Sequence, residues 1–326
     1  MEILTLNNTE KVIDIDYQDI STEKPFITAN TFYSSYNELK SDHLIPVFVK
    51  DNQPVISQAD LIEMVHEVTT HVFHRETILT PSIRVSHPIK GRIPEAKSKP
   101  AHLLTEDEKT IYYERMAFVI EIPSITSEIG GNKLSLTIGG IKAYNLDNLY
   151  SKKGSEEHFK IFIGFQNKVC TNMCISTDGY KGTLKVRNTN ELMEGILNLL
   201  TQYNYELHLK EMVQLPHKSL DEKEFAQLIG RCRMYPYLSK KEKRLIPELN
   251  FGDTQLGTVV KDYFNDPNFS KNLDGSIDLW KLYNLFTGAN KSSYIDTFFD
   301  RGLNAYDFNV SLLNAIENKN FNWFLS

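Results

Sequence analysis

Residues 158–180, HFKIFIGFQNKVCTNMCISTDGY, decide the fold class. In an extended chain Phe159, Ile161, Ile163 and Phe165 share one face, and Phe162 lies on the other. Apolar residues on both faces mark a central strand rather than an edge. After Gln166-Asn167 the alternation resumes, with Val169, Thr171, Met173 and Ile175 opposite Cys170, Asn172, Cys174 and Ser176. The second set is small throughout, which suits a face approached closely by a helix or another backbone. Asp178-Gly179 reads as a hairpin-like turn.

The sheet extends in both directions from this stretch. Upstream, residues 111–122 read as a strand with Phe118, Ile120 and Ile122 alternating. Gly130-Gly131-Asn132 is a turn, after which Leu134, Leu136 and Ile138 alternate with Lys133, Ser135 and Thr137. That pattern predicts an antiparallel hairpin with one buried face and one wet face. Gly139-Gly140 marks a bulge or a close backbone approach. Downstream, Leu184 and Val186 alternate with Lys185 and Arg187. A helix starting near Thr189 then lines up Leu192, Ile196, Leu199, Leu200, Tyr203 and Leu207 to lie across the sheet. An earlier helix begins after Ser57, an N-cap with Asp60 three residues on.

From Pro216 onward the strand signals cease. Ser219 with Glu222 and Ser239 with Glu242 have capping-box spacing. Phe225, Leu228, Ile229 and Cys232 form one helical stripe, Leu256, Val259, Val260 and Tyr263 a second, and Leu279, Leu282, Tyr283 and Phe286 a third. The third helix is expected to run from about Ser276 to Gly288, and Tyr294 to Phe324 reads as two short helices. The expectation is an α+β fold: a mainly antiparallel sheet packed on a long helix, followed by a helical C-terminal part. It divides into an N-terminal arm (1–56, with a short strand at 45–49), a sheet domain (57–215) and a helical domain (216–326).

Of 326 residues, 41% are hydrophobic and 24% charged, an ordinary globular balance. No apolar run is long enough to span a bilayer, and the N-terminus has no secretory pattern. With 3 cysteines, which cannot all pair, the expected location is a reducing cytoplasm, with no membrane partner. The net charge of −6 is uneven: residues 1–80 carry −8, residues 81–190 carry +5 and residues 191–326 carry −3. A basic middle within an acidic chain permits a local contact with a polyanion.

Metal and cofactor signals are weak, and neither is expected. His66 and His71 are five apart, about 140° around a helix, so they do not share a metal from one face. Cys170 and Cys174 lack a matching second pair, and Cys232 lies on an apolar stripe. A calcium loop over 270–281 fails because Ser270 and Lys281 occupy positions that need carboxylates. No phosphate-binding fingerprint accompanies the glycine pairs.

Three basic segments remain. Residues 81–105, with Pro81, Pro88, Pro94 and Pro100, read as a stiffened loop carrying Lys90, Arg92, Lys97 and Lys99. The exposed side of the sheet gathers Lys133, Lys185 and Arg187. Residues 231–244, RCRMYPYLSKKEKR, place Tyr235 and Tyr237 among Arg231, Arg233, Lys240, Lys241, Lys243 and Arg244. Cations contact phosphates and aromatic faces stack on unpaired bases, so this mixture suits single-stranded nucleic acid.

Residues 167–174 (NKVCTNMC), 142–150 (KAYNLDNLY) and 225–231 (FAQLIGR) resemble an uncharacterised Bacteroidetes family over most of the chain. More distantly, the Cys-Thr-Asn turn and residues 279–284 (LWKLYN) resemble a broad phage- and plasmid-associated family over about residues 130–290. The resemblance implies a mobile-element context and no activity. The leading expectation is therefore a non-enzymatic, DNA-binding or annealing accessory protein of a mobile element, with single-stranded DNA as partner. The alternatives are a hydrolase using His158 with a carboxylate, and an assembly protein with a protein-binding surface. Oligomerisation is left open.

Overall fold

The computed structural model describes residues 24–41, 56–96, 98–147 and 156–326. In chain order the first elements are β1 (Phe32–Tyr33), α1 (Tyr36–Ser41), α2 (Gln58–Val72), β2 (Ser82–Val85), β3 (Pro88–Arg92) and β4 (Lys109–Tyr113). The sheet's main strands follow as β5 (Arg115–Ile129), β6 (Asn132–Ala143), β7 (Glu157–Asn167), β8 (Met173–Cys174) and β9 (Tyr180–Val186). Helices α3 (Thr189–Gln202) and α4 (Tyr205–Met212) lead to β10 (Ser219–Leu220), α5 (Glu222–Met234), α6 (Lys240–Lys243) and α7 (Asp253–Asn265). The last elements are β11 (Ile277–Asp278), α8 (Leu279–Asn290) and α9 (Ile295–Asn318). The fold is α+β, with an antiparallel sheet and C-terminal helices. The expected strand at 45–49 lies outside the described residues.

The large sheet has the order β1-β2-β5-β6-β7-β8, and β9 also pairs with β7. Strand β7 is central, as its two apolar faces require. Phe159, Ile161, Ile163 and Phe165 join the core formed with α2 and α3, while Phe162 joins Phe298 and Phe299 of α9 on the opposite face. Coverage of both faces overturns the expected wet side of β6. Lys133 is exposed, but Ser135 and Thr137 are buried. Gly139 reflects this double packing, since a Cβ there would lie 2.4 Å from the Phe118 carbonyl oxygen and 2.5 Å from the Phe162 ring. The β5–β6 turn is also closed from outside. Gly130 has φ +54°, and a Cβ on it would come within 2.5 Å of Trp280, whose indole donates to Asn132 Oδ1 at 2.7 Å.

Several expected boundaries shift. The loop expected at 81–105 contains two strands. β2 enters the large sheet between β1 and β5, and β3 pairs with β4. Its prolines flank elements rather than interrupt them: Pro81 precedes β2 and Pro88 is the first residue of β3. The strand expected at 111–122 breaks at Glu114, where β4 ends and β5 begins. The helix from Thr189 stops at Gln202, because Asn204 caps α4 by accepting from the Leu207 amide. Leu207 is consequently 50% exposed, off the expected stripe.

The Ser57 and Ser239 capping boxes are present. The expected Ser219 box is displaced: Ser219–Leu220 pairs with β11, and Asp221 caps α5 with Glu224. Helix α8 begins at Leu279 under an Asp278 cap rather than near Ser276, and it ends at Asn290. The segment expected as two short helices contains the single 24-residue helix α9. Within the rejected calcium loop, Lys281 Nζ itself occupies the position of a cation, donating to Asn272 Oδ1 at 2.7 Å and the Ser270 carbonyl at 3.1 Å.

One hydrophobic cluster runs from Leu39 to Phe324, so the parts expected at 57–215 and 216–326 share a core. Phe26 and Ile27, from the expected arm, pack with α9. No helix among the described residues is long and apolar enough to cross a membrane.

Candidate nucleic-acid interface

The last turn of α5 presents Arg231 and Arg233, and Tyr235-Pro236-Tyr237 continues as a 3-10 turn. Residues two apart in such a turn point roughly 120° away from each other, so the tyrosines diverge. Tyr235 is 8% exposed and stacks on Phe324 with ring centroids 5.9 Å apart, whereas Tyr237 is 87% exposed. Tyr235 is thus a core residue and Tyr237 an available platform, a correction to the sequence expectation that both face a ligand.

The cations divide in the same way. Arg231 donates to the Ser326 carbonyl at 2.7 Å and lies 5.0 Å from the Trp323 ring. Arg233 pairs with Asp253 at 3.1 Å. Lys243 donates to the Pro236 carbonyl at 3.0 Å and covers the Tyr235 ring. Glu242, the one acid in the segment, accepts from the Ser239 amide at 2.8 Å. Its hydrogen bonds to Ser239 hold its carboxyl below the ordinary value. Engaged in the capping box, that carboxylate leaves Lys240, Lys241 and Arg244 exposed, with no ion pair among the described residues. Beside them Leu245 is 80% exposed and Phe321 78% exposed. A groove of about 290 Å³ opens between Leu245–Pro247 and the 320–323 turn.

The other basic segments are occupied differently. In the β3–β4 hairpin Arg92 donates to the Lys99 carbonyl, and Lys99 pairs with Glu108 at 2.7 Å. From Pro88 to Tyr113 the hairpin carries five cations against four carboxylates, and Glu106, in the turn before β4, pairs with Lys109 at 2.6 Å. Lys90 is exposed, and Lys97 lies outside the described residues. On β9 Lys185 is exposed, and Arg187, just past the strand's end, lies 3.4 Å from Glu156. These groups do not converge with residues 231–244. Asp296, near the start of α9, lies 3.7 Å from Arg115, whereas Ser311 is near the groove at its far end. That span of helix is on the order of 20 Å.

A buried charge network escaped the sequence reading. Lys142, fully buried, donates to Asp147 Oδ2 at 2.7 Å and Glu157 Oε2 at 2.9 Å, and the Glu157 carboxylate accepts from the Ile56 amide. Asp147 Oδ1 accepts the His158 amide at 2.8 Å and lies 3.4 Å from His158 Nδ1. The available signal was parity, since counting from Leu136 and Ile138 puts Lys142 on an inward face. His158 thus has a carboxylate neighbour, but that carboxylate is committed to Lys142. The thiols are also poorly suited to nucleophilic work: burial pushes Cys170 up to about 11 and Cys174 up to about 12, and raises Cys232 as well. No metal-holding cluster occurs among the described residues.

Beneath α9, His208 is buried with Nδ1 2.7 Å from the Tyr203 hydroxyl, and its ring packs edge-on to Tyr306. Burial lowers its pKa to about 3, so it is neutral in the folded protein.

Among known proteins, one family model matches residues 7–325, with the description "Domain of unknown function, B. Theta Gene description (DUF3871)". No curated protein and no solved structure matches the chain.

Proposed function

The chain belongs to that family of unknown function, and we propose that it is a non-enzymatic protein binding single-stranded nucleic acid through the surface around Tyr237, Lys240, Lys241 and Arg244. The observation that carries this reading is the pairing of an 87% exposed tyrosine with three exposed cations that have no carboxylate partner among the described residues. Phosphates meet the cations, and an unpaired base stacks on the ring. A duplex keeps its base faces stacked away, so single strands gain the aromatic term and duplexes do not. The net charge of −6 confines the contact to this patch. The proposal includes an accessory role in a mobile element, handling single-stranded intermediates.

The test reverses Lys240, Lys241 and Arg244 to glutamate together. Single-strand binding is expected to fall sharply. The salt dependence should become shallower by about 2 in log K against log salt, at roughly 0.7 per lost phosphate contact. The three side chains are exposed, so thermal unfolding should stay close to that of the parent. Undiminished binding by the folded variant excludes this surface.

A further inference from the structure

Resting on that reading, we propose that the groove beside Arg244 is a subsite for one unpaired nucleobase of the bound strand. Its volume of about 290 Å³ lies just below the usual range for small-molecule pockets, which suits one base with part of its sugar. Leu245 and Pro247 line one side, and Phe321 and Trp323 the other. Trp323 is held in place by Arg231 at 5.0 Å and by an edge contact with Phe324, ring centroids 5.1 Å apart. A groove with a fixed aromatic wall favours a flat, stackable occupant.

The polar groups in the groove discriminate further. Asn314 and Asn320 are exposed at its edge, and neither side-chain amide makes a hydrogen bond among the described residues. Each offers a donor and an acceptor, the combination that reads the edge of a base. Asn322 is different: it donates to the Ser311 carbonyl at 3.4 Å and accepts from the Phe324 amide at 3.0 Å, so it holds the turn. No carboxylate lines the groove. Arg244 immediately precedes Leu245, putting a cation beside the slot for the adjoining phosphate.

The two tryptophans make the groove directly observable, because Trp280 is 1% exposed and Trp323 lines the slot. The full chain is titrated with oligo-deoxyadenylate and oligo-deoxycytidylate of about 12 nucleotides. Tryptophan fluorescence is expected to be quenched on binding, and the quenching to vanish in Trp323→Phe. Asn314→Ala with Asn320→Ala should shrink the affinity ratio between the two oligomers by about fivefold or more, while leaving the salt dependence unchanged. Salt-sensitive binding with no change in Trp323 emission, or an unaltered ratio in the double variant, overturns the subsite and leaves the proposed function standing. Binding that survives reversal of Lys240, Lys241 and Arg244 removes the proposed function, and the subsite with it. Quenching by an acidic peptide but by neither oligonucleotide also overturns the subsite, and assigns the groove to a protein partner.

Discussion

The two ends of α9 lie in surroundings of opposite kind. Near its N-terminus cations are matched: Arg115 with Glu114 and Asp296, Lys160 with Asp300, and Lys142 with Asp147 and Glu157 in the sheet behind. Near its C-terminus Lys240, Lys241 and Arg244 stand without such partners beside exposed aromatic residues. The cations of the matched end come from residues 81–190, which carry a net +5, so both sets of cations lie in stretches that look basic in sequence. Charge matched within the fold organises structure, whereas charge left open to solvent keeps its potential for a ligand.

The largest effect expected from breaking this contrast is at the matched end. Lys142→Ala leaves two carboxylates buried without their cation and should cost about 3–5 kcal/mol, read from urea unfolding. A loss below about 1 kcal/mol would mean the network relaxes as a surface pair does. Midway along α9, His208 should make the protein acid-labile. Its folded-state pKa of about 3 lies below the ordinary 6.5, so the unfolded state takes up the proton first as pH falls. The stability tied to its neutrality is full above about pH 6.5, declines as pH falls below that, and is lost by about pH 3. The difference is on the order of 5 kcal/mol, and His208→Phe should remove this part of the pH slope.

At the open end the paired tyrosines sharpen the comparison. Tyr235→Ala should destabilise by about 3 kcal/mol, as for other buried aromatic truncations. Tyr237→Ala should change stability by less than about 0.5 kcal/mol yet weaken single-strand binding by about 1–3 kcal/mol. Equal effects of the two on unfolding would show that Tyr237 also belongs to the core. The smallest expected change is Lys99→Gln in the hairpin, below about 1 kcal/mol in stability and without effect on nucleic-acid affinity.

Legibility in the sequence followed the range of the interactions. Strand β7, the Ser57 and Ser239 caps and the α5 stripe depend on neighbours within a few residues, and periodicity revealed them. The β3–β4 hairpin was hidden because its prolines suggested a loop, while the acids that balance its cations lie mostly in the 3-10 turn before the partner strand. The wet face assigned to β6 failed because α9, far along the chain, covers it. At the candidate site the cations were visible as a run. The difference between Tyr235 and Tyr237 was not, since it depends on Phe324 returning to stack on only one of them. Lys142 was readable in principle from strand parity, but its anions are set by the ends of two other segments.

Trp280 against Gly130 carries a consequence for the order of folding. The β5–β6 hairpin is local and can close early, whereas the indole reaches Asn132 across a separation of 148 residues. The turn can therefore form before its external clamp arrives with the helical region. Interactions absent from the transition state act chiefly on the unfolding rate. Truncating Trp280 should accordingly leave refolding nearly as fast as before and shorten the lifetime of the native state, making this contact a kinetic latch on a hairpin that has already formed.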